Sequence, residues 1–211
     1  SRIPISHIPW LVTGLMFASF AMAAFTSLML VGMMLLYLVT TLLYSVVLKR
    51  VPLLDVFTLA GLYAIRLLAG GFTTGHLPSI WLLSFAGLLF LSLGFLKRHT
   101  ELVTNQADVQ NPQRGYRSED ISMLMTIGIG ASFASCVVFM NWLQSDAFDR
   151  GYANQLTAWL MTPLLLYWQC RLWVKSMRGK MHDDPIVYAA TDYQGWVIFA
   201  LIAVLYFFSL R

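Results

Sequence analysis

The chain has 211 residues, of which 58% are hydrophobic and only 11% are charged. An ordinary soluble domain carries about 25% charged residues, so this composition is typical of a membrane protein. The net charge of +4 is modest, and membrane topology explains it without nucleic-acid binding. Cys136 and Cys170 lie in apolar stretches without metal-ligand spacing, which predicts buried reduced thiols.

Seven apolar segments follow one another along the chain. No charged residue occurs between Arg2 and Lys49, a length that needs two membrane crossings because about 20 helical residues span a bilayer. Gly70, Gly71 and Gly75 with Pro78 predict a break between the third and fourth segments. We therefore predict an all-α, polytopic membrane helix bundle with crossings at residues 8–24, 28–48, 53–72, 79–96, 121–142, 157–174 and 195–210.

The lysine and arginine distribution predicts the orientation. If the N-terminus and the loops at 49–52, 97–120 and 175–194 share one side, ten basic residues lie there: Arg2, Lys49, Arg50, Lys97, Arg98, Arg114, Arg117, Lys175, Arg178 and Lys180. The other side has two, Arg150 and Arg211. We expect a multi-pass protein of the inner (plasma) membrane with its charged loops in the cytoplasm.

Acidic residues share the predicted cytoplasmic loops with these basic residues. Carboxylates suit Mg²⁺, and Arg and Lys suit phosphate oxygens, so a magnesium-bound diphosphate would fit there; simple loop charges remain the alternative. Asp55 and Arg66 lie eleven residues apart on one predicted helix, which puts Arg66 about 16 Å deeper in the membrane, where it should face a polar cavity or pair with a neighbouring helix. Lys97 and Glu101 have the spacing of an intrahelical ion pair.

Several motifs resemble one family of membrane enzymes. The stretch Tyr44-Ser-x-x-Leu-Lys49-Arg50-x-x-Leu-Leu-Asp55-Val, followed by Leu62-Tyr63-x-x-Arg66-x-x-Ala-Gly70-Gly71, is similar to UbiA-type membrane prenyltransferases. Gly94-x-x-Lys97-Arg98-x-x-Glu101-Leu102 and Asp184-Pro-Ile-x-x-Ala-x-x-Asp192 resemble the decaprenyl-phosphate phosphoribosyltransferase branch. The resemblance covers nearly the whole chain.

The resemblance implies a fold of nine transmembrane helices around a cavity open to the cytoplasm and to lipid. Members carry a first Asp-rich metal motif ahead of a segment like Ser1-Arg2-Ile3-Pro4. We therefore expect residues 1–211 to form a single transmembrane domain that lacks two N-terminal helices and that motif.

The implied activity is Mg²⁺-dependent transfer of a 5-phosphoribosyl group from phosphoribosyl pyrophosphate to a polyprenyl phosphate. By resemblance, six residues would bind substrate diphosphate or shape its cavity: Tyr44, Lys49, Asp55, Arg66, Lys97 and Arg98. Three would bind the metal: Glu101, Asp184 and Asp192. The family's usual second motif is richer in Asp, which leaves the number of metal ions open.

Two other functions fit the sequence. One is a prenyltransferase that joins an isoprenoid diphosphate to an aromatic acceptor. The other is a non-catalytic membrane subunit or transporter on a decayed copy of the fold. The expected partners are membrane lipids, polyprenyl phosphate and phosphoribosyl pyrophosphate, with no nucleic acid, and several copies of the chain could associate.

Overall fold

The computed structural model describes residues 8–104, 115–145, 155–181 and 184–209. Within these ranges the regular secondary structure is entirely helical. The α-helices are α1 (Ile8–Thr26), α2 (Leu28–Val46), α3 (Leu54–Thr74), α4 (Ile80–Thr104), α5 (Ile121–Leu143), α6 (Gln155–Trp159), α7 (Met161–Met177), α8 (Pro185–Thr191) and α9 (Tyr193–Ser209). Single 3₁₀ turns occur at Leu48–Arg50 and Ser118–Asp120.

Four of the helical stretches are long and apolar enough to cross a membrane. They are Leu28–Val46, Leu54–Thr74, Ile80–Thr104 and Ser118–Leu143. Two shorter apolar helices cover Trp10–Thr26 and Tyr193–Ser209. Helices satisfy their own backbone hydrogen bonds, which a segment in hydrocarbon requires. The prediction of an all-α protein is therefore confirmed for the described residues, four stretches of which have the length and composition that a membrane crossing requires.

Several helix boundaries differ from the predicted segments. α3 continues through Gly70 and Gly71 and ends at Gly75, whose φ of 71° is the left-handed conformation common after helices. The prediction that Gly70 and Gly71 lie in the break was wrong. A side chain at Gly71 would lie 2.5 Å from Pro78 Cδ, so this glycine lets the following connection fold back against α3.

Two further differences follow from proline positions. The predicted segment 157–174 is interrupted at Leu160, between α6 and α7. Pro163 has no N–H to donate to the carbonyl of Trp159, which explains the interruption. The predicted loop 175–194 contains the short helix α8, which begins at Pro185, a favoured first helical residue.

α4 is the central helix of the bundle and contacts α3, α5, α7 and α8. The buried apolar core lies around it and includes Val56, Phe95, Leu96, Leu124, Leu172, Trp173 and Met181. Helices come close where glycines allow it: a side chain at Gly94 would lie 2.7 Å from Val56, and one at Gly128 would lie 2.3 Å from Trp173. α9 packs on α6 and α7, and α1 contacts the rest of the bundle mainly through α2.

Candidate functional site

A buried polar network joins the ends of α2, α3 and α4. Arg98, on α4, is 1% exposed, and Asp55, in the first turn of α3, is 0% exposed. The Arg98 guanidinium donates from Nε to Asp55 Oδ2 (2.6 Å), from one terminal nitrogen to Glu101 Oε2 (2.6 Å), and from the other to the Tyr44 hydroxyl (3.1 Å). Burying these charges is tolerable because each has an oppositely charged or hydrogen-bonding partner.

Tyr116 completes this network from the connection that precedes α5. Its hydroxyl donates to Asp55 Oδ1 (2.6 Å) and accepts a hydrogen bond from the backbone N–H of Leu53 (2.7 Å). Burial and the hydrogen bond to Asp55 raise the pKa of the Tyr116 hydroxyl, so it stays protonated and keeps donating to the carboxylate. We call Tyr44, Asp55, Arg98, Glu101 and Tyr116 the Arg98 network.

Four of these five residues were predicted as site residues, and the structure brings them together from separate helices. Tyr116 was not among the predicted site residues. Its signal in the sequence was weak, because a tyrosine in a charged loop has no motif of its own. The side chain of Arg98 is 2% exposed and already donates to three protein groups, so its present contacts are with the protein and not with solvent.

The last turns of α4 carry other polar side chains. The charged run from Lys97 to Glu101, predicted to close the fourth segment, lies inside α4, which continues to Thr104. Glu101 pairs with Arg98, three residues earlier, and Lys97 reaches across to Asp184. His99 and Thr100 both hydrogen-bond to the Ser176 hydroxyl of α7, at 2.7 Å each.

Asp192 forms a separate contact at the start of α9. Arg171 of α7 donates both terminal nitrogens to the two Asp192 oxygens, one of them at 2.8 Å. The backbone N–H of Gly195 also donates to Asp192, at 2.7 Å, which caps the helix. The hydrogen bonds from Arg171 hold the pKa of the Asp192 carboxyl below its usual value.

The three predicted magnesium ligands do not form one cluster. Glu101 contacts Arg98, Asp184 contacts Lys97, and Asp192 contacts Arg171. Within the described ranges, no group of three or more His, Cys, Asp or Glu side chains lies close enough to hold a metal ion. These carboxylates therefore do not form a magnesium site by themselves.

Arg66 lies away from the Arg98 network although it shares α3 with Asp55. It donates to the Tyr37 hydroxyl and lies over the rings of Tyr37 (4.9 Å) and Tyr63 (5.2 Å). It lines a hollow of about 440 Å³ between α1, α2 and α3, whose other walls are mostly apolar. Arg66 therefore lies at a mostly apolar hollow rather than the polar cavity that was predicted, and it contacts Tyr37 of the neighbouring α2, whereas Asp55 contacts Arg98 and Tyr116.

A second hollow, of about 570 Å³, lies among the start of α4, the end of α5, α6, the first turns of α7 and the second half of α9. Aromatic residues such as Trp81, Phe139 and Trp142 line it, and none of the described residues that line it is charged. A diphosphate needs cations to neutralise its oxygens, so this hollow does not suit the predicted substrate.

Some predicted features lie outside the described residues. These are the Ser1-Arg2-Ile3-Pro4 segment, residues 105–114 of the predicted loop 97–120, which include Arg114, residues 182–183 of the predicted loop 175–194, and the predicted outer-side residues Arg150 and Arg211. Lys49 is half-buried and Arg50 is exposed, both on the 3₁₀ turn between α2 and α3.

The described fold defines a class of all-helical proteins with several helices able to cross a membrane. No protein-family model matches the chain. The chain is similar to the uncharacterized protein y4nM of Sinorhizobium fredii, at 39% identity over 173 residues, which cover 79% of this chain and 33% of y4nM. It is also similar to the nodulation protein NoeC of Azorhizobium caulinodans, at 33% identity over 142 residues, which cover 66% of this chain and 46% of NoeC.

The chain thus spans between a third and about half of the length of the curated relatives it matches. Neither name states a reaction, so the comparisons do not choose among the functions considered above.

Proposed function

We propose that this chain is part of a UbiA-type membrane enzyme that transfers a 5-phosphoribosyl group from phosphoribosyl pyrophosphate to a polyprenyl phosphate. The observation that carries this proposal is the Arg98 network. The resemblance links the motifs of four residues to one site: Tyr44, Asp55, Arg98 and Glu101. In the structure, Tyr44 of α2, Asp55 of α3 and Glu101 of α4 all contact the Arg98 guanidinium.

The proposal includes seven membrane crossings in this chain. Four helical stretches have the length and composition for it, and α1 and α9 are shorter apolar helices. The seventh crossing would be α6 and α7 together, which run from Gln155 to Met177 with an interruption at Leu160. The Arg98 network and the Lys49–Arg50 turn would then lie at the cytoplasmic face of the inner membrane, where a water-soluble sugar phosphate can reach a lipid phosphate.

In the proposed reaction an oxygen of the lipid phosphate forms a bond to C1 of the ribose, and the bond from C1 to the pyrophosphate oxygen breaks. Pyrophosphate leaves with the electron pair of that bond. The lipid phosphate is already ionised, so the reaction needs no strong general base. It needs cations near the departing pyrophosphate, because stabilising charge that develops in the transition state lowers the barrier.

Lys49 and Arg50 are the cations that suit this task, because their turn connects α2, which carries Tyr44, to α3, which carries Asp55, and because Arg50 is exposed. Lys97 would contribute after exchanging Asp184 for a phosphate oxygen. Arg98 is enclosed by Asp55, Glu101 and Tyr44, so we assign it to holding those side chains in place. Magnesium, which the resemblance implies, would need ligands in addition to the described carboxylates.

The test is a transfer assay with the protein expressed from its complete gene and placed in lipid nanodiscs. Radiolabelled phosphoribosyl pyrophosphate and a polyprenyl phosphate should yield labelled lipid. Glu101→Ala should abolish this transfer while membrane insertion stays intact, and Arg178→Ala, which changes an exposed cation, should not affect it.

Absence of ribose from the lipid fraction of the parent protein would refute the proposal. Label transfer from an isoprenoid diphosphate to an aromatic acid would instead support the prenyltransferase alternative. Normal activity of Glu101→Ala would remove Glu101 from the site.

A further inference from the structure

The connection before α5 contacts the turn between α2 and α3 very closely. Gly115 has φ of 71°, and a side chain there would lie 2.7 Å from the carbonyl oxygen of Arg50 and 3.2 Å from Pro52 Cδ. Only a glycine allows this approach, both because of its left-handed backbone and because no Cβ fits. The next residue, Tyr116, is 8% exposed and reaches into the base of α3.

The Tyr116 hydroxyl hydrogen-bonds to two groups at the start of α3, the Leu53 backbone N–H and the Asp55 carboxylate. Leu53 has φ of 66° and ψ of −48°, a conformation that is uncommon for residues other than glycine. Such a backbone persists only where its surroundings hold it. The hydrogen bond between Leu53 and Tyr116 is a contact that holds it.

The turn held in this way carries Lys49 and Arg50. Neither of these two cations forms an ion pair with another residue that the structure describes. In the sequence, the turn follows α2, which carries Tyr44, and precedes Leu53 and Asp55 at the start of α3. The orientation of Lys49 and Arg50 therefore depends on how Leu53 enters α3.

We infer that Tyr116 is a positioning residue, which holds the Lys49–Arg50 turn in the conformation that binds a diphosphate group. The inference rests on the proposed function, in which this diphosphate belongs to the sugar donor. Tyr116 acts through the backbone of Leu53 and through Asp55, and does not itself touch the anion.

The test measures binding of inorganic pyrophosphate by isothermal titration calorimetry, with the protein from its complete gene in nanodiscs. Tyr116→Phe keeps the ring and removes both hydrogen bonds, and we expect the Kd for pyrophosphate to rise about tenfold. Gly115→Ala should raise this Kd as well, because its Cβ pushes against Arg50. Tyr193→Phe removes a hydroxyl from a residue that is 80% exposed and should leave the Kd unchanged.

Coupling to Lys49 distinguishes positioning from a purely structural role. If Tyr116 acts through the turn, Lys49→Ala should weaken binding much less in the Tyr116→Phe background than in the parent protein. Hydrogen exchange should also become faster in the segment 48–53 of Tyr116→Phe, at a temperature where circular dichroism shows the variant fully folded.

Unchanged pyrophosphate binding by folded Tyr116→Phe would overturn the inference, as would strictly additive effects of Tyr116→Phe and Lys49→Ala. A parent protein that does not bind pyrophosphate would overturn it too. Pyrophosphate binding that depends on Tyr116, without phosphoribosyl transfer, would support the inference and refute only the proposed function.

Discussion

Replacing Arg98 by methionine should destabilise the bundle strongly. The change removes three hydrogen bonds, to Asp55, Glu101 and Tyr44, and keeps an apolar side chain of similar length. Asp55 is 0% exposed and would keep the Tyr116 hydroxyl but lose its positive partner. A buried carboxylate without a counter-charge is costly, because neither water nor another charge compensates for its desolvation.

The magnitude can be worked out in two ways. Removing one partner of a buried ion pair costs about 3–5 kcal/mol. Counted by bonds, Arg98 donates two charge-assisted hydrogen bonds to carboxylates, each worth about 2 kcal/mol. Both routes give a loss of about 4 kcal/mol in the free energy of unfolding.

The assay is reversible unfolding of the detergent-solubilised protein by increasing SDS fraction, followed by far-ultraviolet circular dichroism. Arg178→Met, which changes an exposed arginine, is the matched control and should stay within about 0.5 kcal/mol of the parent protein. The double variant Arg98→Met with Asp55→Leu should be more stable than Arg98→Met alone, because it removes the unpaired carboxylate. A loss below about 1 kcal/mol for Arg98→Met, or a double variant less stable than the single one, would refute the reasoning.

Further predictions concern the packing of α5 and the contact between α7 and α9. Gly128→Ala should destabilise the protein by about 1–3 kcal/mol in the same unfolding assay, because its Cβ would collide with Trp173, whereas Gly130→Ala has open space and should not. The folded-state pKa of Asp192 is depressed by Arg171, so this pair contributes stability above the unfolded pKa of about 3.9, and the contribution is lost as the pH falls through the folded pKa. Asp192→Asn should therefore lower stability at pH 7 and weaken its decline in acid; an unchanged acid limb in unfolding curves from about pH 5 to about pH 2 would contradict this. For activity, we predict that Glu101→Ala abolishes phosphoribosyl transfer in the radiolabel assay.

The helical framework could be predicted from the sequence because apolar length is a direct signal of a membrane helix. Each of the seven predicted apolar segments overlaps a helix of the structure. The errors occur where a local signal was given too much weight. Gly70 and Gly71 were interpreted as a turn, although a glycine inside a helix also serves close approach, here between Gly71 and Pro78. Residues 97–101 were placed in the loop 97–120, although α4 continues to Thr104 and this charged run is helical.

Four of the five members of the Arg98 network could be predicted from the sequence, but their pairing could not. The sequence motifs include Tyr44, Asp55, Arg98 and Glu101. Their spacing along the chain does not indicate that the Arg98 guanidinium hydrogen-bonds to the other three. Lys97 and Glu101 had the spacing of an intrahelical pair, but the structure joins Glu101 to Arg98 and Lys97 to Asp184. Such pairings depend on tertiary distances between separate helices, which helical periodicity does not contain.

The hydroxyls of Ser92 and Ser132, both 2% exposed or less, hydrogen-bond at 2.7 Å between α4 and α5. The Trp173 indole nitrogen also donates to Ser92, at 3.3 Å. In lipid, apolar side chains discriminate poorly between rotated arrangements of two helices, because the tails are as apolar as the side chains themselves. Turning α5 about its axis by one residue, about 100°, would move the Ser132 hydroxyl away from Ser92 and break this hydrogen bond between the helices. This pair therefore fixes how α5 is rotated relative to α4. The surrounding apolar residues can be replaced by other apolar residues during evolution without changing which helix faces meet.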